Sequence, residues 1–251
     1  MGRKSILFIS GSIGLGHVLR DLAIARELRR RFPEMELFWL AGEPARTILR
    51  DHMEAVLPGA EDYSSHTLQA ESAAQGARLN LVRYAIRARK GLTHNVEVFE
   101  RVTRDNLFDL IIADEAYEIW FSLVNNPQLR RSPFVMIYDF VGLDAMTPNP
   151  VERLAVYYVN RTWARDWRLP SNGNLAVYLG EPEDIPDRRF GFLLPNRREY
   201  AKTHYNCTGY VLPFDPAGLG AVDQTRRQLG YGSETLIICT IGGTSIGRDL
   251  L

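Results

Sequence analysis

Short apolar runs of five to seven residues alternate along this chain with longer segments in which apolar positions repeat at helical spacing. An apolar run bounded by Gly, Pro or Asp is typical of a strand that is buried in a parallel sheet. Runs of this kind lie at residues 5–10, 35–41, 109–113, 133–138, 175–179, 207–212 and 235–241. Their alternation with helices predicts an α/β fold with a doubly wound, Rossmann-like parallel sheet, whose ligands bind beyond the carboxyl ends of the strands.

The first predicted helix begins after the first apolar run and ends near Arg31. Its apolar residues at helical spacing, which should pack on the sheet, are Leu15, Val18, Leu22, Ala25 and Leu28. Residues 68–104 contain no strand-like run and few helix breakers, so we expect one or two inserted helices there. A short helix is also expected at 221–230.

Two glycine-rich loops follow apolar runs near opposite ends of the sequence, GSIGLGH at residues 11–17 and GGTSIG at 242–247. Glycine lets the backbone turn sharply and approach a ligand, and the helix that follows offers free N–H groups to an anion. We therefore expect two nucleotide-binding-type domains. The first would span residues 1–213, and residues 214–232 would form an interdomain linker. Residues 233–251 would hold the first strand of a second, truncated Rossmann-like domain.

The spacing of these glycines argues against two common nucleotide folds. Glycines at 11, 14 and 16 give GxxGxG, whereas dinucleotide-binding proteins carry GxGxxG, and the second loop gives GGxxxG. Neither loop contains the GK[ST] of a P-loop. A glycine loop of this kind can also be only a tight turn. His17, which follows the first loop directly, makes that loop more specific.

The composition of the chain bears on its possible partners and on its location in the cell. Thirty basic residues balance thirty acidic ones, so charge gives no reason to expect a nucleic-acid partner. No apolar stretch approaches the ~18 residues of a membrane helix, and no secretion signal is recognisable. The two cysteines, Cys207 and Cys239, lack ligand spacing, and the histidines show no metal-binding motif. We expect a cytoplasmic protein without a bound metal.

Residues 11–28 read G-x-x-G-x-G-H-x-x-R-x-L-A-x-A-x-x-L, which resembles the opening of GT-B glycosyltransferases. The similarity is strongest to the group that contains the lipid-II-forming N-acetylglucosaminyltransferase and the monogalactosyldiacylglycerol synthases. Residues 237–247 resemble the strand and loop that open the donor-binding domain of this family, and 208–213 resemble the strand before its linker. Residues 46–106 carry none of the resemblance.

The resemblance implies an acceptor-binding first domain, a second domain for a nucleotide-diphosphate-sugar such as a UDP-sugar, and inverting transfer to an acceptor hydroxyl in the cleft between them. It implies no permanently bound cofactor. The acceptor is left open among a lipid, a metabolite and a cell-wall precursor. The chain alone, lacking most of the donor site, is expected to be inactive. Two alternatives are a nucleotide-sugar 2-epimerase of the same fold and a non-catalytic acceptor-binding half of a split transferase.

The candidate catalytic residues are His17 and Asp114. His17 opens the first helix, whose N-terminus disfavours imidazolium, so a neutral ring could act as general base; it could instead cap the loop or bind donor phosphate. Asp114, followed by Glu115 at the end of a predicted strand, could orient His17, serve as the base or cap a helix. Asp139 ends the next strand and could also line the cleft, but it is a weaker candidate because an aspartate at this position is more often a helix cap. The residues expected around the sugar diphosphate, unless their loops are plain turns, are Gly14, Gly16, Gly242, Gly243, Thr244 and Ser245.

A basic stripe is predicted on one inserted helix, where Arg83, Arg87 and Lys90 recur at helical spacing beside an apolar stripe of Leu79, Val82 and Ile86. Such a helix could rest on anionic lipid, which would make the protein peripheral to a membrane. The same pattern is also typical of a solvated face above a core face.

Overall fold

The computed structural model describes residues 3–11, 13, 15–76, 78–166, 174–240, 244 and 246. The strands are β1 (Lys4–Ile9), β2 (Met35–Leu40), β3 (Ala74–Gln75), β4 (Arg78–Leu79), β5 (Leu110–Asp114), β6 (Phe134–Tyr138), β7 (Asn174–Tyr178) and β8 (Asn206–Cys207). The helices are α1 (Gly16–Arg31), α2 (Ala45–Asp51), α3 (Thr67–Ala73), α4 (Leu81–Asp105), α5 (Tyr117–Asn125), α6 (Pro150–Asp166), α7 (Arg197–His204) and α8 (Val222–Gln228).

Six of the strands form one parallel sheet in the order β2-β1-β5-β6-β7-β8. The predicted Rossmann-like α/β fold is therefore confirmed for this part of the chain. The order reverses between β1 and β5, where the chain leaves one half of the sheet and starts the other. In such sheets the crevice at this reversal is where ligands bind.

The sheet is covered on both faces, as the apolar strands predict. Along β1, Leu7 and Ile9 pack into one core cluster, and Ile6 and Phe8 pack into another on the opposite face. The side chains of Phe8 and Trp39 stack with their ring centroids 4.6 Å apart. Because alternate residues of one strand enter two cores, β1 is fixed in register and its carboxyl end is rigidly placed.

The segment expected to hold one or two inserted helices contains α3 and the 25-residue α4, and both were anticipated. Between them lies a two-stranded antiparallel pair, β3 with β4, that the apolar pattern did not predict because each strand has only two residues. Asn80 begins α4 by accepting a hydrogen bond from the backbone N–H of Arg83 at 2.9 Å.

Two predicted strands differ from the structure. In the run at 207–212 only Cys207 lies in a strand, where it pairs with Tyr178 of β7, and the Thr208 N–H donates to the Tyr178 carbonyl at 3.1 Å. Gly209 then takes a φ of +71°, and the chain turns away from the sheet. The described residues 235–240 form no strand, although 235–241 were predicted as the first strand of a second domain. No neighbouring strand in the described part of the chain pairs with them, and Ile237 is 79% exposed.

The short helix predicted at 221–230 is present as α8. The proposed division into residues 1–213, 214–232 and 233–251 stays a prediction. Among the described residues, no helix is both long enough and apolar enough to cross a membrane.

Candidate active site

Three adjacent strands deliver polar side chains to one edge of the sheet. Ile9 of β1 pairs with Ala113 of β5, and Asp114 pairs with Ile137 of β6, so these strands end at nearly the same level. The chain then continues from β1 through the glycine loop into α1, which carries His17 in its first turn. Asp114 is the last residue of β5, and Asp139 follows β6 directly.

Gly11 determines how closely the loop approaches the His17 ring. A Cβ atom at Gly11 would lie 2.9 Å from Cγ of His17, which is closer than real Cβ contacts. Glycine therefore allows the backbone after β1 to lie directly against the imidazole. Gly16, by contrast, has open space around the position of a Cβ.

His17 and Asp114 form a hydrogen-bonded pair. The Nδ1 atom of His17 lies 2.8 Å from Oδ2 of Asp114. The Asp114 side chain is fully buried, whereas the His17 side chain is 16% exposed. Asp114 therefore cannot reach a substrate itself, and only the imidazole can carry the reactivity of this pair to the cavity.

Arg20, one helical turn after His17, binds the same carboxylate. Its Nη2 atom donates to both oxygens of Asp114, at 2.6 and 2.7 Å. The same Nη2 lies 2.8 Å from Nδ1 of His17. Nδ1 can donate to Asp114 or accept from Arg20, but a neutral ring cannot do both, so the tautomer decides whether Nε2 holds a free lone pair.

The buried charges of this network are balanced. Burial alone would raise the pKa of Asp114, but the hydrogen bond and charge of His17, followed by those of Arg20, lower it. Asp21 is fully buried beside them and accepts from the Ser10 hydroxyl at 2.5 Å. Burial, and then the charge of Asp114, raise the pKa of Asp21 well above its ordinary value. The network therefore favours an ionised Asp114 and a protonated Asp21.

Glu115 is a site residue that the sequence indicated only as a neighbour of Asp114. Its φ is 49°, which is unusual for a residue other than glycine. Its Oε1 accepts from the Tyr117 hydroxyl at 3.0 Å, and its Oε2 lies 3.7 Å from Nε2 of His17. Burial, and then the adjoining carboxylate of Asp139, raise the pKa of Glu115 well above its ordinary value.

A cavity of about 550 Å³ opens beside these groups, and its walls include His17, Arg20, Asp139, Val211, Pro213 and Thr244. Thr244 belongs to the second predicted glycine loop, so the structure brings one residue of that loop to the same cavity as His17. Gly16 also lines this cavity. Gly14, Gly242, Gly243 and Ser245 lie outside the described residues.

The predicted basic stripe on α4 is exposed at Arg83, Arg87 and Lys90. Arg87 donates to the backbone carbonyl of Ser72, which ties α4 to α3. Ile86, expected on the apolar side of this helix, is 71% exposed. The surface of α4 is therefore basic with an exposed apolar residue within it.

A second buried polar cluster, which sequence reasoning missed, lies between α4 and the segment before α3. His66 is fully buried, and its Nε2 lies 3.1 Å from the amide nitrogen of Asn95. The same amide nitrogen donates to Glu118 at 3.0 Å and to the Ser64 carbonyl at 3.1 Å. Within the part of the chain that the structure describes, Nδ1 of His66 has no hydrogen-bond partner. The separation of 29 residues between His66 and Asn95 gives no local signal of their contact.

No protein-family model and no curated protein matches the chain. Among solved structures, MurG of Acinetobacter baumannii is 15% identical with a TM-score of 0.38, over 71% of this chain and 42% of that one. A glycotransferase of kitacinnamycin is 13% identical with a TM-score of 0.49, over 85% of this chain and 53% of that one. The glycosyltransferase SnogD from Streptomyces nogalater is 14% identical with a TM-score of 0.45, over 88% and 53%. The chain spans about half the length of these structures.

Proposed function

We propose that this chain is the acceptor-side domain of an inverting glycosyltransferase, which moves a sugar from a nucleotide-diphosphate-sugar to an acceptor hydroxyl. The observation that carries the proposal is the pairing of His17 with the fully buried Asp114 at 2.8 Å, beside a cavity at the carboxyl edge of the sheet. The resemblance of residues 11–28 to the opening of GT-B glycosyltransferases gives the reaction class.

In the proposed reaction, His17 is the general base. Its Nε2 takes the proton of the acceptor hydroxyl, and the acceptor oxygen attacks the anomeric carbon from the side opposite the nucleotide. The bond from that carbon to the diphosphate oxygen breaks, and the nucleoside diphosphate leaves with the electron pair. Asp114 stabilises the imidazolium that forms, and this type of proton transfer contributes about 10²–10⁴-fold to rate.

Arg20 is proposed as a positioning residue that acts through Asp114. By occupying both carboxylate oxygens it fixes the orientation of the acid that holds His17. Burial would lower the pKa of Arg20, but the charge and hydrogen bonding of Asp114 outweigh burial, so this pKa lies above its ordinary value. Arg20 therefore stays charged while the proton moves to His17.

The diphosphate is proposed to lie between the two glycine loops. Leu15 makes no side-chain capping hydrogen bond at the start of α1, and the backbone N–H groups of this first turn are proposed to bind the diphosphate. Thr244 lines the same cavity as His17, which supports its proposed contact with the diphosphate. Gly14, Gly16, Gly242, Gly243 and Ser245 complete the proposed set.

The proposed nucleotide and the proposed acceptor are taken from the resemblance. UDP is the nucleotide that it favours, and a lipid, a metabolite or a cell-wall precursor is the acceptor. A lipid acceptor would agree with contact between the exposed basic stripe of α4 and an anionic membrane, in a cytoplasmic protein. The 2-epimerase alternative has no support in the comparisons, and we do not propose it.

The test is a transfer assay on the protein in its full natural length. Nucleoside diphosphate release from a panel of nucleotide-sugars is measured with and without extracts of lipid and soluble acceptors, and the product anomer is read by NMR. We expect release that needs an acceptor, with inversion at the anomeric carbon. Release without an acceptor, together with a 2-epimeric sugar, would instead indicate an epimerase. Acceptor binding without release for any donor would indicate a non-catalytic half. His94→Gln, a change in an exposed histidine, serves as the matched control for His17→Gln.

A further inference from the structure

We propose that His17, Glu115 and Asp139 form a binding site for a divalent transition-metal ion of the Zn²⁺ class. One imidazole nitrogen and one oxygen from each carboxyl group lie within 4.8 Å of one another. A ligand set of one nitrogen and two oxygens suits Zn²⁺ better than Mg²⁺, which prefers oxygen alone. The three residues come from separate segments of the chain, which is why sequence spacing gave no indication of a metal.

The distance between the first two ligand atoms fits a shared ion. Nε2 of His17 lies 3.7 Å from Oε2 of Glu115. Two ligand atoms that each bind Zn²⁺ at about 2.1 Å in tetrahedral geometry are roughly 3.4 Å apart. The pair therefore needs only a small movement to bind one ion. Oδ2 of Asp139 lies 3.5 Å from Nη1 of Arg20, and the Asp139 side chain is 35% exposed, so a movement toward the other two ligands would exchange this long ion pair for the metal ion.

The groups behind the ligands are those that a metal site requires. A histidine that binds metal commonly donates its other ring N–H to a carboxylate, and Nδ1 of His17 lies 2.8 Å from Asp114. Oε1 of Glu115 accepts from the Tyr117 hydroxyl at 3.0 Å and from the Asp139 backbone N–H at 3.4 Å. These contacts leave Nε2 and Oε2 as the two atoms that face each other.

Charge and access favour the same occupant. The carboxyl groups of Glu115 and Asp139 lie close enough to repel each other when both are ionised, and a divalent cation between them removes that repulsion. His17 and Asp139 line the cavity of about 550 Å³. An ion can therefore reach His17 and Asp139 from this side and keep a fourth position for water or a substrate oxygen.

The proposed ion would compete with the proposed base. Zn²⁺ and the acceptor proton bind the same lone pair, that of Nε2 of His17, so a bound ion would block proton removal. The metal site itself does not depend on the transferase proposal, because ion binding can be measured without any sugar substrate.

The experiment is a calorimetric titration of the chelator-treated, dialysed protein with Zn²⁺. We expect one ion per chain, and at least about tenfold weaker binding in Glu115→Gln and in Asp139→Asn. His94→Gln is the matched control, since His94 is an exposed histidine that also lies near a carboxylate, that of Glu97 at 3.4 Å. This control should bind as the wild type does. Circular dichroism establishes that each variant is folded.

Binding that both carboxamide variants retain, binding that His94→Gln weakens equally, or no binding at all would overturn the proposal. If either variant fails to fold, the ¹⁵N signals of the wild-type imidazoles decide. A Zn²⁺-dependent shift of Nε2 of His17 would support the site. Shifts confined to other histidines, or none, would overturn it.

Discussion

The buried polar clusters around His17 and around His66 each contain a histidine, a carboxyl group and a donor that contacts both, yet they differ in what they can do. His17 has one ring nitrogen on the carboxylate of Asp114 and a side chain that is 16% exposed. His66 has one ring nitrogen on the neutral amide of Asn95 and is fully buried. Access to the cavity and direct contact with a charge distinguish the first cluster from the second.

The difference in partners has an electrostatic consequence. A carboxylate stabilises imidazolium, whereas an amide nitrogen offers no negative charge, and burial lowers the pKa of His66. Gly91 of α4 packs closely on the His66 ring, where a Cβ would lie 2.7 Å from Cε1. Residue types alone therefore do not identify a reactive histidine; its position at the strand ends does.

The largest expected effect comes from removing His17. In the transfer assay, His17→Ala should lower kcat by about 10²–10⁴-fold, because the proposed general base is lost. His66→Asn should change kcat of the folded protein in this assay by only a few-fold. Equal losses of kcat in the two variants, at matched folded fractions, would abolish the distinction between the clusters.

Removing the carboxylate charge of Asp114 should lower both the rate of transfer and the stability of the fold. Asp114→Asn removes the charge that orients His17 and leaves Arg20 with its long ion pair to Asp139, at 3.5 Å, in place of two short bonds to a carboxylate. We expect kcat to fall by about 10²-fold or more and the free energy of unfolding to fall by about 3–5 kcal/mol.

Glu118→Gln is the counterpart in the second cluster. Burial raises the pKa of Glu118, so an amide there removes the cost of a buried charge at neutral pH. Chemical denaturation should show unchanged or higher stability for this variant. A large loss in Glu118→Gln with none in Asp114→Asn would contradict the charge assignment.

Gly11 and Gly16, two of the three glycines in the first loop, extend the comparison to smaller expected effects. Gly11→Ala should displace the His17 ring and lower kcat by up to about 10²-fold, since small misplacements of reacting groups have effects of this size. Gly16→Ala has space for its methyl group and leaves the His17 ring in place, so any loss of kcat should come only from the proposed diphosphate contact of Gly16 and should be smaller than in Gly11→Ala. A change in kcat without a change in circular dichroism would identify the effect as local.

The smallest expected effect is a pH dependence of stability from His66. Its pKa is lowered in the folded protein, so as pH falls below about 6.5 the unfolded chain binds a proton first. The free energy of unfolding should therefore fall from about pH 6.5 toward the folded-state pKa, and the fall should be shallower in His66→Asn. If the free energy of unfolding depended on pH in the same way in the wild type and in His66→Asn, this account would be contradicted.

Much of the first cluster could be predicted from the sequence. The apolar runs gave β1, β5 and β6, and strands of a parallel sheet end at one edge, so His17 and Asp114 were expected in the same cleft. The contact of Arg20 with Asp114 was not anticipated, although Arg20 lies one helical turn from His17 and could have been found by that spacing.

Three other features could not be predicted, because they depend on a contact between residues far apart in sequence or on the backbone conformation of a single residue. The contact of His66 with Asn95 forms only because α4 packs over the residues before α3. The run at 207–212 has a strand-like pattern, but the backbone turns away at Gly209, so only Cys207 of the run is paired in the sheet. The strained backbone of Glu115 has no sequence signature.

The tautomer of His17 is the most direct test of the central claim, because it determines whether Nε2 can accept a proton. Proton–nitrogen correlation NMR of the imidazoles, at a pH where rings are neutral, reads it without any substrate, and loss of signals in His17→Gln assigns them. The account predicts a proton on Nδ1, donated to Asp114, with a free lone pair on Nε2. A proton on Nε2, with Nδ1 accepting from Arg20, would contradict it.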